Sequence, residues 1–203
     1  MSRPVNPQPQ PSHSIDDLPA LVSVDVETAG PVPGQYAMLS IGACLVADPA
    51  QGFYAELQPD AFAVDEVALS ISGLDMETLT VRGLAPQVAL EQLETWLKEH
   101  IPAGCKPVFV AFNAPFDWMF MNAYFHRYLG HNPFGHFALD MKAFYMGMKG
   151  VRVADTSFSK ISALYLGNKA LTHNALADAR DQAAVFYQLL QETAAGCDEE
   201  RDN

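Results

Sequence analysis

The sequence predicts an α/β fold: a mixed sheet, with an antiparallel three-strand meander plus parallel strands, flanked by helices. Three observations predict it. Three short apolar or β-branched runs follow one another between residues 21 and 57, joined by turn residues. Apolar residues at helical spacing then dominate from residue 85 onward. A single further strand-like run, PVFVAF, interrupts those helical patterns at 107–112. The resulting order, βββ-α-β-α-α-α, calls for one sheet with helices packed on its faces.

The first strand is expected over Leu21–Val26 (LVSVDV), a β-branched run suited to burial. Thr28–Gly34 follows as a loop, broken by Gly30, Pro31, Pro33 and Gly34. Ala37–Ala47 is the second strand, and Phe53–Leu57 the third, reached through the turn-like DPAQG. A helix is expected over Ala85–His100, with Val88, Leu90, Leu93, Trp96 and Leu97 along one face. Pro107–Phe112 has the makeup of a central strand. Asn113 is the expected cap of a helix that begins near Pro115, since proline is tolerated in a first turn. Leu139–Gly147 and Ser159–Leu166 are expected as short helices, and Leu176–Glu192 as the last long one.

With 203 residues and 49% hydrophobic content, the chain suits one compact domain. Residues 1–17, rich in Pro, Gln and Ser, are expected to be a disordered leader. The folded domain is expected over 18–194, and 195–203 as an acidic flexible tail. No uninterrupted apolar stretch reaches the roughly 18 residues of a membrane span, so no membrane partner is expected. The N-terminus lacks the apolar run of a secretory signal. Cys44, Cys105 and Cys197 have no paired spacing, which favours a reducing, cytoplasmic setting. The formal charge of −12 argues against a long electrostatic groove for nucleic acid. It fits a small footprint on one end of a strand. Lys142, Lys149, Arg152, Lys160 and Lys169, with Arg180 nearby, would meet phosphates if they gathered at a site rim; otherwise they form a solvated face.

Three separated segments deliver carboxylates, and the last adds an imidazole. Asp25 and Glu27, two residues apart at a strand end, fall on the same side of the pleat. Asp117 and Asp178 each fall in the first turn of an expected helix, near its positive end. Hard oxygen ligands of this kind favour Mg²⁺ or Mn²⁺. Two such ions per site could clamp the attacking and leaving oxygens of a phosphodiester. His173, in the loop before the last helix, is the candidate general base.

With these residues placed, the chain resembles the DEDDh 3′–5′ exonucleases, which include ribonuclease T and oligoribonuclease types. VDVETAG (24–30), FNAPFD (112–117) and HNALADA (173–179) match the family's three motifs. ISGLDMETL (71–79) is similar to its loop after the third strand, and HNPFGHFALDMKAFYMG (131–147) to a stretch of ribonuclease T. The resemblance implies a ribonuclease H-like fold. It also implies metal ligation by Asp25, Glu27 and Asp178, with Asp117 completing the site, and His173 as base. The implied partner is the 3′ end of single-stranded nucleic acid, and a homodimer is implied by the ribonuclease T type. Thr28 and Ala29 would approach the terminal nucleotide through backbone groups. Asn113 and Phe116 are further candidate contacts, although Phe112 and Phe116 equally suit the core. Phe112 replaces the histidine that often opens the second motif, and Ser72 stands where a histidine is common. The loop 31–36 has no aromatic residue directly after the first motif, leaving Tyr36 as the substitute stacking platform. Two other readings stay open: a phosphodiesterase of very small substrates, and an interaction module that keeps the fold without turnover. RNA and DNA are both compatible with the sequence.

Overall fold

The computed structural model describes residues 20–167 and 169–199. The expected leader, 1–17, and residues 200–203 of the expected tail lie outside the described residues. Five strands form one sheet in the order β3-β2-β1-β4-β5. They are β1 (Leu21–Thr28), β2 (Met38–Leu45), β3 (Gly52–Glu56), β4 (Val108–Ala111) and β5 (Ala138–Asp140). The β1–β2 and β2–β3 pairs are antiparallel, while β1–β4 and β4–β5 are parallel. This is the mixed sheet that the sequence pattern predicts, in the ribonuclease H-like form that the family resemblance implies.

Period-two alternation divides the sheet between two cores. Val22, Val24 and Val26 of β1, with Phe109 and Ala111 of β4, pack on Leu90, Leu93 and Leu97 of α3 (Pro86–His100). Phe120 and Tyr124 of α4 (Ala114–Tyr128) complete that layer. On the opposite face, Leu21, Cys44 and Val110 meet α5 (Met141–Lys149), α6 (Phe158–Tyr165) and α7 (Ala175–Glu199), through Met141, Ile161, Ala179 and Phe186. Asp25 and Glu27 share the parity of Leu21, so both belong to this second face. A register slip of one residue would send them into the first core, where an ionised carboxylate has no partner.

Several elements differ from the expectation. Two short helices, α1 (Glu66–Ser72) and α2 (Met76–Arg82), occupy a segment for which only a loop was foreseen. Each is capped by an aspartate, Asp65 and Asp75, whose side chain accepts from first-turn N–H groups. The helix expected over Leu139–Gly147 starts instead at Met141, because Ala138–Asp140 is the edge strand β5. Three residues are too few to show a period of two. Asn113 does precede α4, but in the left-handed region (φ 65°) and without a side-chain cap bond. Asp140 takes that role: its Oδ2 accepts from Ala114 N at 2.7 Å and its Oδ1 from Ala143 N at 2.7 Å. The last helix runs on to Glu199 and does not stop at Glu192, which makes 195–199 helical. No helix among the described residues is long and apolar enough to cross a membrane.

Candidate active site

Helix α7 reaches the sheet because β2 carries a glycine where the two meet. Gly42 lies opposite Asp25 in the β1–β2 register. A Cβ at Gly42 would lie 2.1 Å from the carbonyl carbon of Ala175 and 2.2 Å from Leu176 N. Only a residue without a side chain lets the first turn of α7 rest on the strand. That contact brings Asp178, on the same turn, to the Asp25–Glu27 edge. From the other face, the first turn of α4 is tied to β1 by Asp117, whose Oδ1 accepts from Val26 N at 3.1 Å. Asp117 and Asp178 are both buried.

His173 enters through a tight loop. Its backbone is left-handed (φ 55°), and its N–H donates to Asp178 Oδ2 at 2.8 Å. Asp178 Oδ1 accepts from Thr172 N at 2.8 Å and from Thr172 Oγ1 at 3.0 Å. One carboxylate thus fixes the loop that presents the imidazole. Ligand atoms of Glu27, His173 and Asp178 all lie within 4.8 Å of one another.

The electrostatics describe a crowd of acids with little internal compensation. Burial, then Asp117, Glu27 and Asp178, push Asp25 well above the usual carboxylate range. Burial, reinforced by Asp178, raises Glu27 to about 7. Burial raises Asp117 to about 8, against the pull of the Val26 N–H. Carboxylates in this situation take up protons or a divalent cation. The donor set is oxygen-rich with one imidazole, so Asp25, Glu27, Asp117, Asp178 and His173 fit hard or borderline divalent ions.

The expected substrate contacts are more occupied than the sequence suggests. Thr28 is buried and its hydroxyl donates to Gly30 O at 2.9 Å. Ala29 donates its N–H to Ala37 O and accepts from Asp65 N, both at 2.8 Å. Tyr36 stacks over Gly30, where a Cβ would fall 2.3 Å from its ring, so one of its faces is already covered. Phe116 packs against the first core, 5.5 Å from Phe120 between ring centroids, and Phe112 against the second. Asn113 is exposed. Ser72 closes α1, with its hydroxyl donating to Leu69 O and accepting from Leu74 N.

Two residues of the site went unnoticed in the sequence. Gln182, buried on α7 one turn beyond Asp178, donates from Nε2 to Asp25 Oδ1 at 2.6 Å. Its Oε1 accepts from Phe112 N at 2.9 Å, so one amide joins β1, the end of β4 and α7. The i, i+4 spacing from Asp178 was the available signal. Asp140 is the other; its position just before a helical run marks it as a cap. Most of the basic residues that the sequence singles out are already paired. Lys149 pairs with Glu192, Arg152 and Lys160 with Asp155, and Lys169 with Asp181. Arg180 donates to Pro49 O.

Comparison with known proteins agrees with this fold. Residues 22–186 match the RNase_T family, described as an exonuclease. The 3′-5′ DNA exonuclease Cap18 of Escherichia coli is 44% identical over 170 residues, covering 84% of this chain and 91% of that protein. The nuclease domain of 3′hExo, a DEDDh family member solved with rAMP, superposes with a TM-score of 0.69 at 14% identity, covering 85% of this chain and 92% of that one. Escherichia coli Exonuclease I, solved with a dT13 oligonucleotide, gives 0.69 at 14% identity over 88% of this chain and 42% of its own. The chain belongs to the RNase_T exonuclease family, and within it to the metal-dependent 3′–5′ exonucleases of the DEDDh type.

Proposed function

We propose that this enzyme releases nucleoside 5′-monophosphates from the 3′ end of single-stranded DNA. The observation that carries the reading is the convergence of Glu27, His173 and Asp178 within 4.8 Å, beside Asp25 and Asp117. Asp25, Glu27, Asp117 and Asp178 would hold two Mg²⁺ or Mn²⁺ ions. Bound there, the ions supply neutralisation of phosphoryl charge and a more acidic water. The protein's own groups do the rest. His173 accepts the proton of the attacking water; water oxygen bonds to phosphorus as the bond to the 3′ oxygen of the preceding nucleotide breaks. Asp178, bonded to His173 N and Thr172, keeps the imidazole at the attacking side. Gln182 holds Asp25 in one orientation.

DNA is favoured as substrate by the 44% identical relative, whose name states that activity. A panel of 5′-labelled single- and double-stranded DNA and RNA with Mn²⁺ tests polarity and substrate together. The expected result is a ladder on single-stranded DNA that shortens from the 3′ side. A ladder on RNA with intact DNA would overturn the DNA assignment. A second reading, hydrolysis of very short substrates, is supported by the acidic balance and by the pairing of Lys149, Arg152, Lys160 and Lys169 with carboxylates. Rates on a dinucleotide and on a long oligonucleotide separate the two. The free thiols Cys44 and Cys105 fit a cytoplasmic setting.

The acidic crowd also sets a pH dependence of stability. Glu27 is raised from 4.5 to about 7 and Asp117 from 3.8 to about 8. Between those values the folded protein binds more protons than the unfolded chain, so its stability falls as pH rises. Well below pH 4 both states are protonated, and well above pH 8 the penalty is complete. Divalent metal reverses it, because it stabilises only the ionised folded site. In thermal melts the metal-free protein is expected to lose Tm between pH 5.5 and 8. Mn²⁺ is expected to raise Tm far more at pH 8 than at 5.5. An equal metal response at both pH values would contradict this.

A further inference from the structure

We propose that Lys142 is the contact for a substrate phosphate on the 5′ side of the bond being cut, presented on the ring of Phe112. The inference rests on the exonuclease reading above and adds the path of the strand leading to the site.

The placement follows from the sheet. Leu21, Val22 and Ser23 of β1 pair in parallel with Val108, Phe109 and Val110 of β4. Carrying that register forward by two residues sets Phe112 beside Asp25. Both share the face covered by α5, α6 and α7. The Gln182 amide ties the two together through Asp25 Oδ1 and Phe112 N. Phe112 is therefore the flanking residue of the acidic centre on its β4 side, where the motif of this family often carries histidine. Its ring stands edge to face with Phe158, at 5.2 Å and 88°. Against that fixed ring rests the ammonium group of Lys142, with Nζ 5.9 Å from the centroid.

Charge pairing singles this lysine out. Lys149, Arg152, Lys160 and Lys169, its neighbours in the basic stretch, each lie within 3.2 Å of a carboxylate oxygen. Lys142 makes no such pair among the described residues. The acid nearest in sequence, Asp140, is committed to the N–H groups of Ala114 and Ala143. An ammonium group held on an aromatic face beside an anion-cleaving centre offers a ready electrostatic partner to a phosphate. Such a contact positions the strand without reading its bases. It also explains how a chain with 24 acidic and 12 basic residues receives a polyanion: by a cation at the rim and not by a basic groove.

The experiment uses the full chain with Mn²⁺ and two substrates. A 5′-labelled oligo(dT) has phosphates upstream of the scissile bond, and thymidine 5′-p-nitrophenyl phosphate has none. Lys142→Ala is expected to raise KM for the oligonucleotide about five- to tenfold, with kcat changed far less. The slope of log KM against log salt should flatten by about 0.7, the value of one phosphate contact on a single strand. Lys142→Arg should restore most of both. The loss on the nitrophenyl ester should be several-fold smaller than on the oligonucleotide. An unchanged oligonucleotide KM and salt slope in Lys142→Ala would overturn the proposal. So would equal losses on both substrates, which would place Lys142 in the chemistry or the fold. Failure of the unaltered protein on both substrates would instead defeat the exonuclease reading itself.

Discussion

Asparagine at position 25 is expected to slow nucleotide release by about 10³-fold or more, the rate equivalent of several kcal/mol of transition-state stabilisation. The substitution keeps the size of the side chain and its acceptor for the Gln182 amide, so the loss isolates the charge. A second readout moves the opposite way. Asp25 is buried among Asp117, Glu27 and Asp178, all of which resist its ionisation. Removing that charge relieves the metal-free protein, whose Tm at pH 8 is expected to rise. The stabilisation by Mn²⁺ should shrink at the same time. Labelled single strands and thermal melts with and without metal measure both effects. A variant with normal turnover would remove Asp25 from the site.

Valine at position 42 is expected to be the most damaging change outside the acids. Its Cβ would meet backbone atoms of Ala175 and Leu176 at 2.1–2.3 Å, and backbone cannot swing aside as a side-chain end can. Helix α7 would have to lift from β2. Overpacking of this kind costs about 1–3 kcal/mol, and a main-chain clash belongs at the upper end. The damage would extend to chemistry, because the lifted turn is the one that carries Asp178 to Glu27. Denaturant unfolding should report the loss of stability. Titration with Mn²⁺ should report weaker binding even where the variant remains folded. Full metal affinity in a folded Gly42→Val protein would mean that α7 does not depend on this contact.

The acids and the histidine that the structure brings together could be singled out from the sequence because their signals are local. Asp25 and Glu27 stand two apart at the end of a β-branched run, and Asp117 and Asp178 fall in first turns of helices. Each pattern is set by the period of its own element. The meander and the two long helices were legible for the same reason. Other features depend on distant neighbours. Gln182 gains its meaning from Asp25 and Phe112, far away in sequence, and nothing beside it announces that. Strand β5 is too short to carry a period, and α1 and α2 span seven residues each, barely two turns. The left-handed turn at Asn113 was hidden because asparagine is both a common helix cap and one of the few residues that tolerate φ above zero. The partners of the basic residues were equally hidden, since ion pairing is settled only when the helices pack.

The bonds from Thr172 and His173 to Asp178 have a consequence for how this enzyme is dissected. Under the proposed mechanism, the proton acceptor and one anchor of the cationic charge would be parts of a single latch. Truncating Asp178 also releases the imidazole, so its deletion inherits the penalty of losing His173. The two losses are therefore non-additive, and a thermodynamic cycle across the pair reads one shared device where the chemistry names two.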